Sequence, residues 1–139
     1  MYEIGNAGGA NGFRFGMTSG TMGFLLGNTS GYTESPCGGK INDGVWHYIA
    51  GVFDRTGGAF NCYVNGALSG SISIPAYPGA NDNVPTIGVV CCTNLFVGQA
   101  DEISAYLSNL SASDIKALYA EGKPRHEDIA KTTDSTKQD

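Results

Sequence analysis

Asp43-Gly-Val-Trp-His-Tyr-Ile-Ala-Gly-Val-Phe-Asp54 is the stretch on which the fold turns. Its Asp-Gly opening is a turn, and Trp46 to Phe53 then predicts one strand that is apolar on both faces. Such a strand is central, covered by a second sheet on one side and partly by a groove or loop on the other. Downstream, Tyr63-Val-Asn-Gly66 closes a further strand on Asn-Gly, a strong short-range hairpin signal. Gly98-Gln-Ala-Asp-Glu-Ile103 leads an acidic pair into a last strand, Ala100 to Leu107, and from there into a short helix.

Working outward, Phe13, Phe15 and Met17 alternate with Arg14 and Gly16, so residues 12–17 read as a strand with one buried face. Residues 2–5 read as another, joined to it by a Gly/Asn-rich loop. A turn at Thr18 to Thr21 returns the chain into a strand from Met22 to Gly27. Asn28 to Asp43 is polar and rich in Gly and Ser, which predicts a loop with one short strand. Asp54-Arg-Thr-Gly-Gly58 is a hairpin turn into Ala59 to Val64, and Ala67 to Ile74 is the partner strand, with Leu68, Ile72 and Ile74 at even spacing. Pro75 to Pro85 is a long loop, and Thr86 to Val90 is a strand. The helix runs from Ser111 to Glu121. Ser111 is its N-cap with Asp114 three residues on, an acidic capping box. Ile115, Leu118 and Tyr119 share one face, and Gly122 is the stop. Residues 124–139 are polar and aperiodic, a tail or linker after a domain spanning 1–123.

A chain of 139 residues is one domain by length. With 21 glycines, few charges and short runs of Val, Ile, Thr, Tyr and Phe, it suits an all-β sandwich with many turns. The net charge is −5 and the eight Lys and Arg are scattered, so the concentrated basic patch that a nucleic-acid surface needs is missing. No apolar run approaches the ~20 residues of a membrane span, and the N-terminal residues lack the charged and apolar regions of a signal peptide.

The four cysteines, Cys37, Cys62, Cys91 and Cys92, allow three full pairings, and the sequence does not choose among them. Adjacent Cys91 and Cys92 pair poorly with each other, so the expected bridge runs from Cys37 to Cys91 or Cys92. Cys62 shares a face with Phe60 and Val64 and reads as a buried free thiol. His47 and His126 do not complete a zinc pattern.

The ordered set of a Trp-His strand, a Tyr-Val-Asn-Gly hairpin and a late Asp-Glu strand before a C-terminal helix resembles the laminin-G-like, concanavalin A-like jelly-roll family. This sandwich also underlies pentraxins, and the resemblance covers roughly residues 4–122. It implies an antiparallel β-sandwich with one short C-terminal helix. Members of that family usually carry further N-terminal strands, which are missing here. The expectation is therefore a piece of a longer extracellular, cell-surface or virion protein, or a shortened sandwich with an exposed edge. An unpaired edge is a template for association, so a homo-oligomer is expected.

The resemblance also sets the expectations for chemistry. Glycoside hydrolases on this sandwich use a Glu-x-Asp-x-x-Glu spacing to set two carboxylates ~5 Å apart on one face. This chain lacks that spacing, and neighbouring Asp101 and Glu102 would point to opposite faces of a strand. No nucleophile elbow is present, so an enzyme is not expected. Related sandwiches often bind calcium where the late Asp-Glu strand meets a loop. By resemblance Asp101 is the first candidate ligand and Glu102 the second, with Asp82 in the Asn81-Asp82-Asn83 loop adding oxygens. The alternative reading is that Asp101 anchors a turn by accepting from backbone amides. Carbohydrate binding on such folds uses aromatic platforms beside loops, which points to Tyr32, Tyr77 and Asn83, while Tyr48 reads as core. His47 reads as a hydrogen-bonded packing residue. The expected function is non-catalytic recognition of a glycan or a surface protein. The alternative is a structural or adhesive module of a phage or bacterial surface assembly that acts through self-association.

Overall fold

Three strands from the first third of the chain build one antiparallel sheet, and three from the middle build another. The computed structural model describes residues 13–18, 20–28, 31–74, 89–90, 94–95 and 97–122. Strands β1 (Phe13–Thr18), β2 (Thr21–Asn28) and β3 (Gly31–Lys40) pair in the order β1-β2-β3. Strands β4 (Ile49–Asp54), β5 (Ala59–Val64) and β6 (Ala67–Ser73) pair in the order β4-β5-β6. A minimal ladder joins β7 (Val89–Val90) to β8 (Asn94–Leu95), and helix α1 spans residues 112–122.

The two larger sheets face each other across a shared core. Phe15, Met22, Phe24 and Cys37 come from the first sheet; Phe60, Cys62 and Ile74 come from the second sheet and its exit. Phe24 stacks on Phe60 and meets Phe53 edge-on, so the two sheets lock through aromatic rings. Gly38 makes room for the Met22 side chain, and Gly51 for the Phe60 ring, at points where a Cβ would collide. The strand period of two divides β4 between two cores. Ile49 and Phe53 face the first sheet, while Ala50 and Val52 face outward to Tyr63, Leu110 and Ile115. Helix α1 thus covers the outer face of the second sheet, burying Ile115 to 2% exposure.

Several expectations change. Strand β3 is ten residues long rather than a short piece within a loop, because backbone pairing to β2 from Asn28↔Gly31 to Thr21↔Lys40 holds it despite its polar sequence. The strand after Asp43 starts at Ile49, not Trp46, and it pairs among the described residues only with β5, which is the central strand. Leu68 is 59% exposed rather than buried beside Ile72 and Ile74. An irregularity skips Ser69 between Cys62↔Gly70 and Tyr63↔Leu68, and one extra residue flips the face of everything beyond it. The displaced Ser69 hydroxyl accepts from the Gly39 N–H at 2.9 Å, tying β6 to β3.

Cys37 bridges to Cys62, not to Cys91 or Cys92, so Cys62 is not a free thiol. The bond crosses from β3 to β5 with Cα atoms 5.9 Å apart. Gly70 is what permits this approach, since the Cys37 carbonyl occupies the place where its Cβ would lie. Residues 97–110 contain no strand, so the expected strand from Ala100 to Leu107 is not formed. Glu102 adopts φ 53° and donates its N–H to Asp101 Oδ1 at 2.8 Å, which breaks the extended path. The early strand at residues 2–5, Cys91, Cys92, His126, the loop from Pro75 to Pro85 and the tail 124–139 lie outside the described residues.

Candidate recognition surface

The β5–β6 hairpin turns on Asn65-Gly66, whose φ values of 51° and 77° are the left-handed pair that a two-residue hairpin requires. This turn is tied to the segment entering β4. The Asn65 N–H donates to the Tyr48 carbonyl at 2.8 Å, and the Tyr48 N–H donates to Asn65 Oδ1 at 3.1 Å. The Asn65 side chain thus takes the place of one of the two backbone partners at Tyr48, and the strand begins at Ile49. His47 continues the chain of contacts, its Nδ1 lying 3.2 Å from Asn65 Nδ2 and its Nε2 2.9 Å from Asp43 Oδ1. Asp43 Oδ1 also accepts the Val45 N–H at 3.2 Å. The bond from His47 first, and then the Val45 amide, hold the Asp43 carboxyl below its usual range.

His47 is 14% exposed at its side chain and has both ring nitrogens engaged. With both ring nitrogens bonded, His47 ties the Asp43 loop to the Asn65 turn. Asp43 and Asn65 were not among the sequence candidates. The Asp-x-x-x-His spacing and the Asn-Gly turn were visible, but their convergence depends on the hairpin folding back.

Helix α1 closes over this corner. Tyr119 lies against Gly66 where any Cβ would crowd it, and its ring centroid is 6.1 Å from that of Tyr48. Burial raises the Tyr48 phenol's pKa, with a smaller push from nearby Tyr106. Asp114 Oδ2 accepts the Ser111 backbone N–H at 2.8 Å, and the Asp114 N–H donates to the Ser111 hydroxyl at 3.2 Å, so the expected capping box is formed.

Beside the helix, the strandless segment 97–110 exposes large apolar side chains. Val97 is 93% exposed, Ile103 47%, Tyr106 52% and Leu107 fully. Scattered apolar residues are ordinary on a surface, and these four fall within one short segment.

Of the sequence-derived site residues, the structure describes the side chains of Asp101 and Glu102. Asp101 is exposed and accepts from the Glu102 amide, as a turn-anchoring Asp does, and Glu102 Oε2 lies against Gly122 at the helix end. Calcium takes six to eight oxygens. Among the described residues no group of three or more His, Cys, Asp or Glu gathers that could hold a metal ion. Asp82, Tyr77 and Asn83 lie outside the described residues. Tyr32 sits on β3 opposite Gly27, and its side chain is likewise undescribed. No helix among the described residues is long and apolar enough to cross a membrane.

The family match agrees with this architecture. Residues 2–116 match the laminin G family model described as the Concanavalin A-like lectin/glucanases superfamily. A stretch of 32 residues is 52% identical to Sushi, von Willebrand factor type A, EGF and pentraxin domain-containing protein 1 of Rattus norvegicus, covering 23% of this chain and 1% of that protein. A solved S-layer domain-containing protein of Clostridium thermocellum (residues 221–444) aligns at 22% identity with a TM-score of 0.42, over 82% of this chain and 59% of that one.

Proposed function

The chain belongs to the Concanavalin A-like lectin/glucanases superfamily, and we propose that it is a non-catalytic recognition module of an extracellular or surface protein, binding a protein or glycan partner. The apolar, aromatic strip Val97–Ile103–Tyr106–Leu107 beside α1 carries this reading, since water-exposed side chains of that size gain most by being covered. The superfamily joins binding proteins with glucanases, so membership alone leaves both activities open. The missing Glu-x-Asp-x-x-Glu spacing and the fully engaged His47 favour binding. A Cys37–Cys62 bridge suits an oxidising compartment.

The test is a glycan array probed with the purified chain in calcium and again in chelator. Glycan capture in either condition supports the lectin arm, and capture lost with chelator adds a calcium requirement, to be followed at Asp101→Ala. Cleavage of arrayed glycans would overturn the non-catalytic assignment. Silence in both conditions removes glycan recognition and leaves protein recognition or assembly.

A second reading, an assembly module acting through self-association, is favoured by the β4 edge, which pairs on one side only among the described residues. Sedimentation velocity over a concentration series tests it. A strictly monomeric chain at the highest concentration would rule it out.

A further inference from the structure

The hydrogen bonds around His47 determine where its proton sits. A backbone N–H can only donate, so the atom of Asn65 facing the Tyr48 amide is the acceptor Oδ1, and the amide orientation is fixed. Nδ2 then faces His47 Nδ1 at 3.2 Å and can only donate, so Nδ1 must present a lone pair. The ring proton is left on Nε2, aimed at Asp43 Oδ1 at 2.9 Å. The array therefore selects the neutral, Nε2-protonated imidazole.

We propose that Asp43, His47 and Asn65 form an acid-sensitive latch on the corner beneath α1. A second proton on Nδ1 would set a donor against the Asn65 Nδ2 donor and break that tie. The Nε2–Asp43 bond would persist and strengthen, because it then joins opposite charges. The break is thus confined to the side of the Asn65-Gly66 turn, on which Tyr119 and the backbone of Lys116 rest. The ionisable groups around the corner are Asp43 on the entering loop, Tyr48 beside it, Tyr106 near Tyr48, and Tyr119 and Lys116 on α1. Of these, Asp43 alone bonds the ring directly among the described residues, and it favours the imidazolium that Asn65 opposes. The consequence is a turn that loosens on acidification while the Asp43 loop stays closed.

The experiment is proton–nitrogen NMR of the imidazole side chains of the full chain, titrated from about pH 8 to about pH 5. The sole tryptophan, Trp46, adjoins His47, and its fluorescence gives a second readout. The expected result is an Nε2-protonated His47 at the upper end. As Nδ1 gains its proton, the Asn65 side-chain amide and Gly66 backbone signals shift and Trp46 emission moves with the same midpoint. His47→Gln loses the transition, and His126→Ala keeps it. Asn65→Asp, which offers Nδ1 an acceptor and tolerates the left-handed backbone, moves the midpoint to higher pH and abolishes the Gly66 shift. An Nδ1-protonated ring at the upper end, or Asn65 and Gly66 signals that stay still while His47 protonates, would overturn the latch.

Discussion

Phe24 of β2 lies flat on Phe60 of β5, their ring centroids 3.9 Å apart and their planes 20° from parallel. The two residues come from opposite sheets, and Phe15 and Phe53 pack edge-on around them at 5.7 and 4.9 Å from the Phe60 ring. Phe60 therefore meets the rings of Phe15 and Phe24 from the first sheet and of Phe53 from its own.

Phe60→Ala should destabilise the domain by about 3–5 kcal/mol, because it removes the transfer energy of a buried ring and leaves a cavity between sheets joined by short loops. Phe60→Leu, which refills part of that volume, should cost markedly less. Urea unfolding followed by Trp46 fluorescence measures both, and equal losses would mean that refilled volume does not compensate and that the ring contacts themselves carry the energy.

Peptide mapping under non-reducing conditions should recover Cys37 joined to Cys62. Closing a loop with a sequence separation of 25 limits the unfolded chain by about 3.5 kcal/mol in the chain-entropy account. Reductant should lower the melting temperature accordingly. Cys37→Ala with Cys62→Ala should reproduce the loss and then be insensitive to reductant.

Ser111→Ala removes the hydroxyl that accepts the Asp114 N–H and should cost about 1 kcal/mol of stability. It should also raise the Asp114 carboxyl back toward the ordinary value, since the Ser111 hydroxyl is the first cause of its depression. A side-chain carboxyl NMR titration reads this directly.

Asp43 has a depressed pKa in the folded state, so its contribution is present above the unfolded value near 3.8 and is lost as pH falls through the lower folded value. The acid limb of the stability profile should therefore be shallower in Asp43→Asn than in the wild type. If the two limbs superimpose below about pH 4, the His47 and Val45 bonds to Asp43 are not maintained in solution.

What was legible in the sequence was local. The Asn65-Gly66 turn, the Asp54 to Gly58 turn and the Ser111 cap are each set by residues within a few positions of one another, and each formed as read. β3 was obscured because its side chains are polar and its stability comes from backbone pairing and from one half-cystine. The disulfide depends on which strands of the two sheets face each other, which spacing does not encode. The segment from Ala100 to Leu107 alternates like a strand, yet the Asp101–Glu102 turn interrupts it. Leu68 followed the even spacing of its strand only until the skipped Ser69 reversed the count. At the candidate site, His47 was recognisable as a hydrogen-bonded residue, but its partners come from a loop and a hairpin that only folding brings together.

The bond from Cys37 to Cys62 also has a mechanical meaning. If the two ends of this domain were pulled apart, the residues between the half-cystines would bear no load and could not pay out. With a separation of 25 residues and about 3.5 Å per extended residue, roughly 85 Å of contour is withheld from extension. The β4 strand, Asp43 and His47 lie inside that sheltered segment, whereas Asn65 lies beyond it. They would stay out of the line of force while the flanking chain stretches.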